Sequence, residues 1–137
     1  MSNAVYTGGC LCGALRYEAR GEPDGTGHCY CGDCRKASGG GFIPFMSFAA
    51  SALTFKGPTR QHVSKAARGG DSTRNFCAVC GSLVFGGVQG ESDSFTIYAG
   101  SLDDPSGFEP KIAIFTAGRP EWAMVPDGLT MFEKMPG

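Results

Sequence analysis

Seven cysteines in three tight clusters constrain this chain more than any other feature. They stand at Cys10 and Cys12, at Cys29, Cys31 and Cys34, and at Cys77 and Cys80, in the order C-x-C, C-x-C-x-x-C, C-x-x-C. The count is odd, and the first residues, "MSNAVYTGG", carry no basic region followed by an apolar stretch, so no signal peptide is expected. Both features disfavour a disulfide framework and suggest a cytoplasmic, reducing setting. There, clustered cysteines bind metal or carry out redox chemistry.

Local geometry sorts the thiols into pairs. On a strand, residues two apart share a face, so Cys10 and Cys12 point one way, as do Cys29 and Cys31. A C-x-x-C turn such as "CAVCG" converges two sulfurs on one point, and Gly81 supplies the backbone freedom that such a knuckle needs. A structural zinc takes four thiolates or imidazoles, whereas a catalytic zinc keeps three protein ligands and an open position. Seven divides as four plus three. The local triad Cys29, Cys31, Cys34 makes the three and is an open site, because Cys10, Cys12, Cys77 and Cys80 make the four. A ribbon-like site from Cys31, Cys34, Cys77 and Cys80 is a different division, but it strands three thiols. Thioredoxin-like redox use of the C-x-x-C pairs is a third reading, though no βαβ pattern surrounds them.

Each site has an expected energetic role. The four-thiolate site ties the N-terminus to a distant hairpin, and structural zinc in small peptides is worth roughly 10–16 kcal/mol. Three thiolates around zinc leave a formal charge of −1. That makes the ion a poorer Lewis acid than a three-histidine site while leaving it able to accept an exogenous thiolate. Arg35 and Lys36, directly after Cys34, are candidates to offset that charge and hold an anionic substrate. The same pair could equally be a solvated face.

The remaining titratable and aromatic residues have blander readings. His28 faces away from Cys29 on a regular strand and is read as packed or surface rather than as a ligand, with a proton-transfer role as the alternative. His62 is read as structural or exposed, and Asp33 as bonding its own turn backbone. Trp122 and Phe115 are read as core.

The 137 residues, 42% of them hydrophobic, make one domain, 1–137, in which residues 1–4 receive no fold role because Ser2-Asn3-Ala4 has the look of a tag remnant. A net charge of −1 argues against a broad basic face for nucleic acid. No apolar run approaches the ~20 residues of a membrane span. Twenty-two glycines suit turns and short strands rather than long helices.

The class is therefore mainly β, with little helix. "GALRYEA" (13–19) alternates as a half-buried strand with Leu15 and Tyr17 on one face. "GEPDGTG" (21–27) is turn chemistry, "HCYC" (28–31) a short strand, and "RKASGG" (35–40) one helical turn or a loop. Pro44 demotes "FIPFMSF" (42–48) to an edge or bulged strand. "ALTFKG" and "RQHVS" are two strands joined by Gly57-Pro58, and "TRNFC" and "SLVFGG" flank the "CAVC" turn as a hairpin. "SFTIYAG" (94–100) alternates again, and "KIAIFT" (111–116) is the last clear strand. "RPEWAMVPDGL" is expected to pack Trp122 onto the body.

Four stretches in this order, "GGCLCGALRY", "HCYCGDCRKASGG", "RNFCAVCGSLVF" and "KIAIFTAGRPEWAMVPDGL", resemble the glutathione-dependent formaldehyde-activating enzyme family, also called the centromere protein V family. The resemblance covers almost the whole chain. It implies an Mss4-like fold of coiled, mostly antiparallel β-sheets. It also implies two zincs per chain: a structural one on the residues matching Cys10, Cys12, Cys77 and Cys80, and a labile, catalytic one on those matching Cys29, Cys31 and Cys34. The implied activity is that of a carbon–sulfur lyase joining a thiol, with glutathione the candidate co-substrate, to a small aldehyde. Arg35 and Lys36 would then be catalytic and cofactor-binding as holders of a thiol carboxylate. The expected partners are small molecules, with no nucleic acid and no membrane, in a monomer or homodimer. A non-catalytic zinc-binding interaction module, or a redox or zinc-buffering protein, are the rival readings.

Overall fold

The computed structural model describes residues 3–136. Strand β1 (Val5–Gly9) pairs antiparallel with β2 (Arg16–Arg20). Next come β3 (Gly25–Cys29), helix α1 (Gly32–Ser38) and β4 (Ile43–Ala49). Then follow β5 (Leu53–Lys56), β6 (Thr59–Lys65), β7 (Asp71–Cys77), β8 (Leu83–Gly86) and β9 (Ser94–Tyr98). The order ends with β10 (Ile112–Ile114) and β11 (Thr130–Met131). Two sheets result: β1-β2-β5, and β11-β10-β3-β4-β9-β8-β7-β6. All pairings are antiparallel except those of β10 with β3 and with β11. Among the described residues no helix is long and apolar enough to cross a membrane.

Side-chain alternation assigns the two faces of the larger sheet to different tasks. Met46 and Phe48 of β4, Phe85 of β8, and Phe95 and Ile97 of β9 point to one face. There they meet Leu15, Tyr17 and Ala19, which the smaller sheet buries as the "GALRYEA" alternation predicts. Phe55 stacks on Phe85 at 4.0 Å between centroids. Fully burying side chains of this size contributes roughly 1.5–3 kcal/mol each. Phe45, Ser47, Gly86, Thr96 and Tyr98, the alternate residues of the same strands, face a cavity on the other side.

A polar clasp also joins the layers. The Thr7 hydroxyl donates to Asp103 at 2.8 Å, and Arg16 grips the same carboxylate through both terminal nitrogens. Arg16 holds that carboxyl down at about 2.

Several expectations need correction. Phe42–Phe48 is not an edge strand, because β4 lies between β3 and β9. Pro44 fits there because it pairs only with His28, and β9 begins its pairing at Phe45, so the local situation is that of an edge. The turn expected over 21–27 ends early, since Gly25 already pairs with Ser47. A strand follows 111–116, namely β11. Trp122 is 65% exposed, and the neighbouring Ala123 fills the buried position instead. Phe115 is only partly buried and faces the cavity. Of the first four residues, Met1 and Ser2 lie outside the described residues, while the Ala4 carbonyl accepts the Gly21 N–H at 2.8 Å.

Candidate metal centres and the cavity beside them

The structure groups the sulfurs as four and three. Cys10, Cys12, Cys77 and Cys80 converge with every sulfur within 4.8 Å of the others, and so do Cys29, Cys31 and Cys34. Four sulfurs around zinc at about 2.3 Å stand about 3.8 Å apart in a tetrahedron. The Cys10–Cys12 and Cys12–Cys77 separations are 3.6 and 3.8 Å, close to that edge length, and the remaining separations stay within 4.8 Å.

The backbone of the four-sulfur group is built to receive negative sulfur. Cys10 Sγ accepts the Leu15 N–H at 3.2 Å, and Cys77 Sγ accepts the N–H groups of Val79 and Cys80 at 3.3 and 3.5 Å. The C-x-x-C turn closes with the Gly81 N–H on the Cys77 carbonyl at 2.9 Å. Gly81 takes φ 78°, a conformation costly for any residue with a Cβ. The Ser82 hydroxyl and backbone N–H pull the Cys80 thiol down to about 5. Cys12 and Cys77 are 65 residues apart in sequence, so this group ties the smaller sheet to the β7–β8 hairpin.

The triad sits where β3 becomes α1. Cys29 is the last residue of β3, Cys31 caps the helix, and Cys34 lies buried in its first turns. The Cys31 sulfur accepts the Cys34 N–H at 3.2 Å, which satisfies one of the free donors at a helix start. Cys29 and Cys34 press their S–H groups on the same sulfur and hold the Cys31 thiol down at about 2, while Cys29 is pushed up by its two neighbours. The three thiols thus share charge as one unit. No fourth cysteine, histidine or carboxylate joins the group among the described residues.

The triad opens into a cavity of about 650 Å³. That volume lies within the usual range for small-molecule pockets. Its walls carry Ile112, Ile114, Phe115 and Met135 on one side and Arg68, Arg74 and Tyr98 on another. Arg74 places Nη2 3.8 Å from Cys34 Sγ. Burial pushes the Tyr98 hydroxyl up to about 12, against the pull of the Arg74 charge.

The other candidates take different places. Arg35 is half-buried and Lys36 exposed on α1, and neither lines the cavity. Asp33 stands exposed at its rim. His28 is buried and stacked on Phe42 at 4.0 Å, with Nδ1 3.3 Å from the Tyr30 hydroxyl, so it is a packed residue. His62 is exposed on β6. Sequence reasoning missed Arg74, Tyr98 and the cavity position of Phe115. A signal for Tyr98 exists in "SFTIY": the alternation that buries Phe95 and Ile97 puts one aromatic on the face otherwise given to Ser94 and Thr96.

The model describing the glutathione-dependent formaldehyde-activating enzymes matches residues 5–118. A Halomonas elongata protein, named as a candidate glutathione-dependent formaldehyde-activating enzyme, is 27% identical over 127 residues, covering 88% of this chain and 81% of its own length. A crystal structure of a Rhodobacter sphaeroides protein superposes with a TM-score of 0.53 at 18% identity, over 74% of this chain and 93% of that one, and so shares the fold. The chain belongs to the glutathione-dependent formaldehyde-activating enzyme family.

Proposed function

We propose that this protein is a zinc-dependent carbon–sulfur lyase that joins a thiol to a small aldehyde, with glutathione as the candidate thiol, or cleaves the adduct. The observation that carries this reading is the contrast between the two sulfur groups. One has four sulfurs, a complete tetrahedral set that links the two sheets, with Cys12 and Cys80 exposed. The other has three sulfurs and faces a cavity of about 650 Å³. Cys10, Cys12, Cys77 and Cys80 would hold a structural zinc, and Cys29, Cys31 and Cys34 a catalytic one with an open position. Zinc in the triad would supply Lewis acidity and keep a bound thiol ionised near neutral pH.

The chain's own residues supply the rest. The cavity walls limit the size of the adduct, and Ile112, Ile114 and Phe115 give the aldehyde an apolar surface that keeps bulk water away. Arg35 and Lys36 stand outside the cavity, where their charges would draw an anionic thiol toward the mouth.

The test is Cys31→Ser. The variant is expected to keep its far-ultraviolet circular dichroism and one zinc, and to lose the second zinc together with thiol–aldehyde turnover. Full turnover by a folded Cys31→Ser protein would contradict the reading.

A further inference from the structure

Resting on the thiol–aldehyde reading, we propose that Arg74 and Tyr98 form the oxyanion subsite of the triad cavity, where the oxygen of the nascent S–C–O group is held and receives its proton. Neither residue belongs to a cysteine motif. They come together because three strands place them there. Arg74 on β7 pairs with Gly86 on β8, and Gly86 pairs with Thr96 on β9, two residues before Tyr98. A Cβ at Gly86 would lie 2.9 Å from the Tyr98 hydroxyl oxygen. The phenol therefore crosses over β8 toward the strand that carries Arg74, through the space that a side chain would fill.

The guanidinium has donors to spare. One terminal nitrogen contacts the Ser64 hydroxyl at 3.5 Å and the other the Cys34 sulfur at 3.8 Å, both long contacts. Its Nε is buried with no partner among the described residues. No carboxylate pairs with Arg74 among the described residues, whereas Asp71 on the same wall is occupied by Lys65 at 3.0 Å. A partly buried guanidinium with five N–H groups and no counter-carboxylate selects for an anion. Its contact with Cys34 places that anion next to the triad rather than at the far end of a substrate.

The chemistry follows from that placement. The thiol loses its proton to solvent, and its sulfur forms the new bond to the carbonyl carbon. The C=O π pair moves onto oxygen, two bonds from sulfur. Arg74 holds this oxyanion, and the Tyr98 O–H gives it a proton and regains one from water at the cavity mouth. Cleavage follows the same path in reverse. A donor aimed at such an oxyanion is worth about 10²–10³ in turnover, and a positioned general acid about 10²–10⁴.

Inorganic thiosulfate tests the subsite directly, because its oxygens stand two bonds from a soft terminal sulfur, as the oxyanion does. Its binding to zinc-loaded protein would be measured by titration calorimetry for the wild type, Arg74→Gln, Arg74→Lys and Tyr98→Phe, with the zinc content of each. We expect Arg74→Gln to bind at least about tenfold more weakly and Arg74→Lys to fall between it and the wild type. Tyr98→Phe should lose about a hundredfold in kcat with the thiol KM within about twofold, and every variant should keep its zinc. Three outcomes would overturn the proposal: no thiosulfate binding by the wild type, equal binding by Arg74→Gln, or loss of triad zinc in step with lost binding. The last would mean that Arg74 only balances thiolate charge. Arg74-dependent thiosulfate binding without turnover of any thiol–aldehyde pair would leave the anion subsite standing and retire the reaction.

Discussion

Gly86 and Tyr98 show how a single atom sets the site. Gly86 needs no unusual backbone angle, so alanine is tolerated there by the main chain and excluded only by the phenol. Gly86→Ala must push the hydroxyl, the far end of a side chain bordering the cavity, off the glycine, at a cost of about 1 kcal/mol. We expect urea denaturation to show that loss and turnover to fall with it, while both zincs remain. Unchanged stability and turnover would mean that the hydroxyl moves aside freely and has no fixed role. Phe115 is a second such position. It is the one non-glycine with positive φ among the described residues, at 55°, and its N–H is held by the Lys134 carbonyl at 3.0 Å. Conformations of this kind cost on the order of 1–3 kcal/mol and collect at functional sites; here the strained residue lines the cavity.

Among the elements, the two cysteine motifs differ in what they join. The Cys77–Cys80 turn belongs to a hairpin and meets the chain that connects β1 to β2, so its closure spans both sheets. The triad lies within one strand–helix junction and adds no long-range link. Structural zinc is worth roughly 10–16 kcal/mol, as much as the entire stability of a typical domain, about 5–15 kcal/mol. Cys77→Ser should therefore abolish the cooperative thermal transition followed by circular dichroism. Cys34→Ser, which leaves a small gap beside α1, should lower Tm by no more than a few degrees. The opposite ranking would mean that the roles of the two groups are exchanged.

The same distinction explains what could be read in advance. The "GALRYEA" and "SFTIY" strands and the hairpin around "CAVC" were legible because alternation and turn chemistry are local. Strand β4 was misplaced because Pro44 bars a ladder bond only where a neighbour exists, and β9 stops one residue short of it. Strand β11 has two residues and is fixed by parallel pairing to β10, which leaves no local pattern to recognise.

At the scale of the whole molecule, one sheet serves two purposes. Its inner face, with Met46, Phe48, Phe85, Phe95 and Ile97, makes the core against the smaller sheet. Its outer face, with Phe45, Ser47, Gly86, Thr96 and Tyr98, makes the cavity. Cysteine spacing pointed to the two sulfur groups because each pair and the triad converge locally, and dividing seven thiols into four and three joined Cys10 and Cys12 to Cys77 and Cys80. Arg74 and Tyr98 escaped notice because strand order brings them to the triad, and strand order is a long-range property of the chain. Arg35 and Lys36 drew attention by sequence adjacency to Cys34, yet α1 carries them away from the cavity wall.

The measurement that tests the account most directly is zinc per chain on protein purified without chelator, repeated after mild chelation, with circular dichroism before and after. The expected result is two zincs falling to one with the fold retained, because the group of Cys10, Cys12, Cys77 and Cys80 offers a complete set of four sulfurs, although Cys12 and Cys80 are exposed, whereas the triad offers three beside a cavity. One zinc that resists chelation, or folded protein with none, would contradict it.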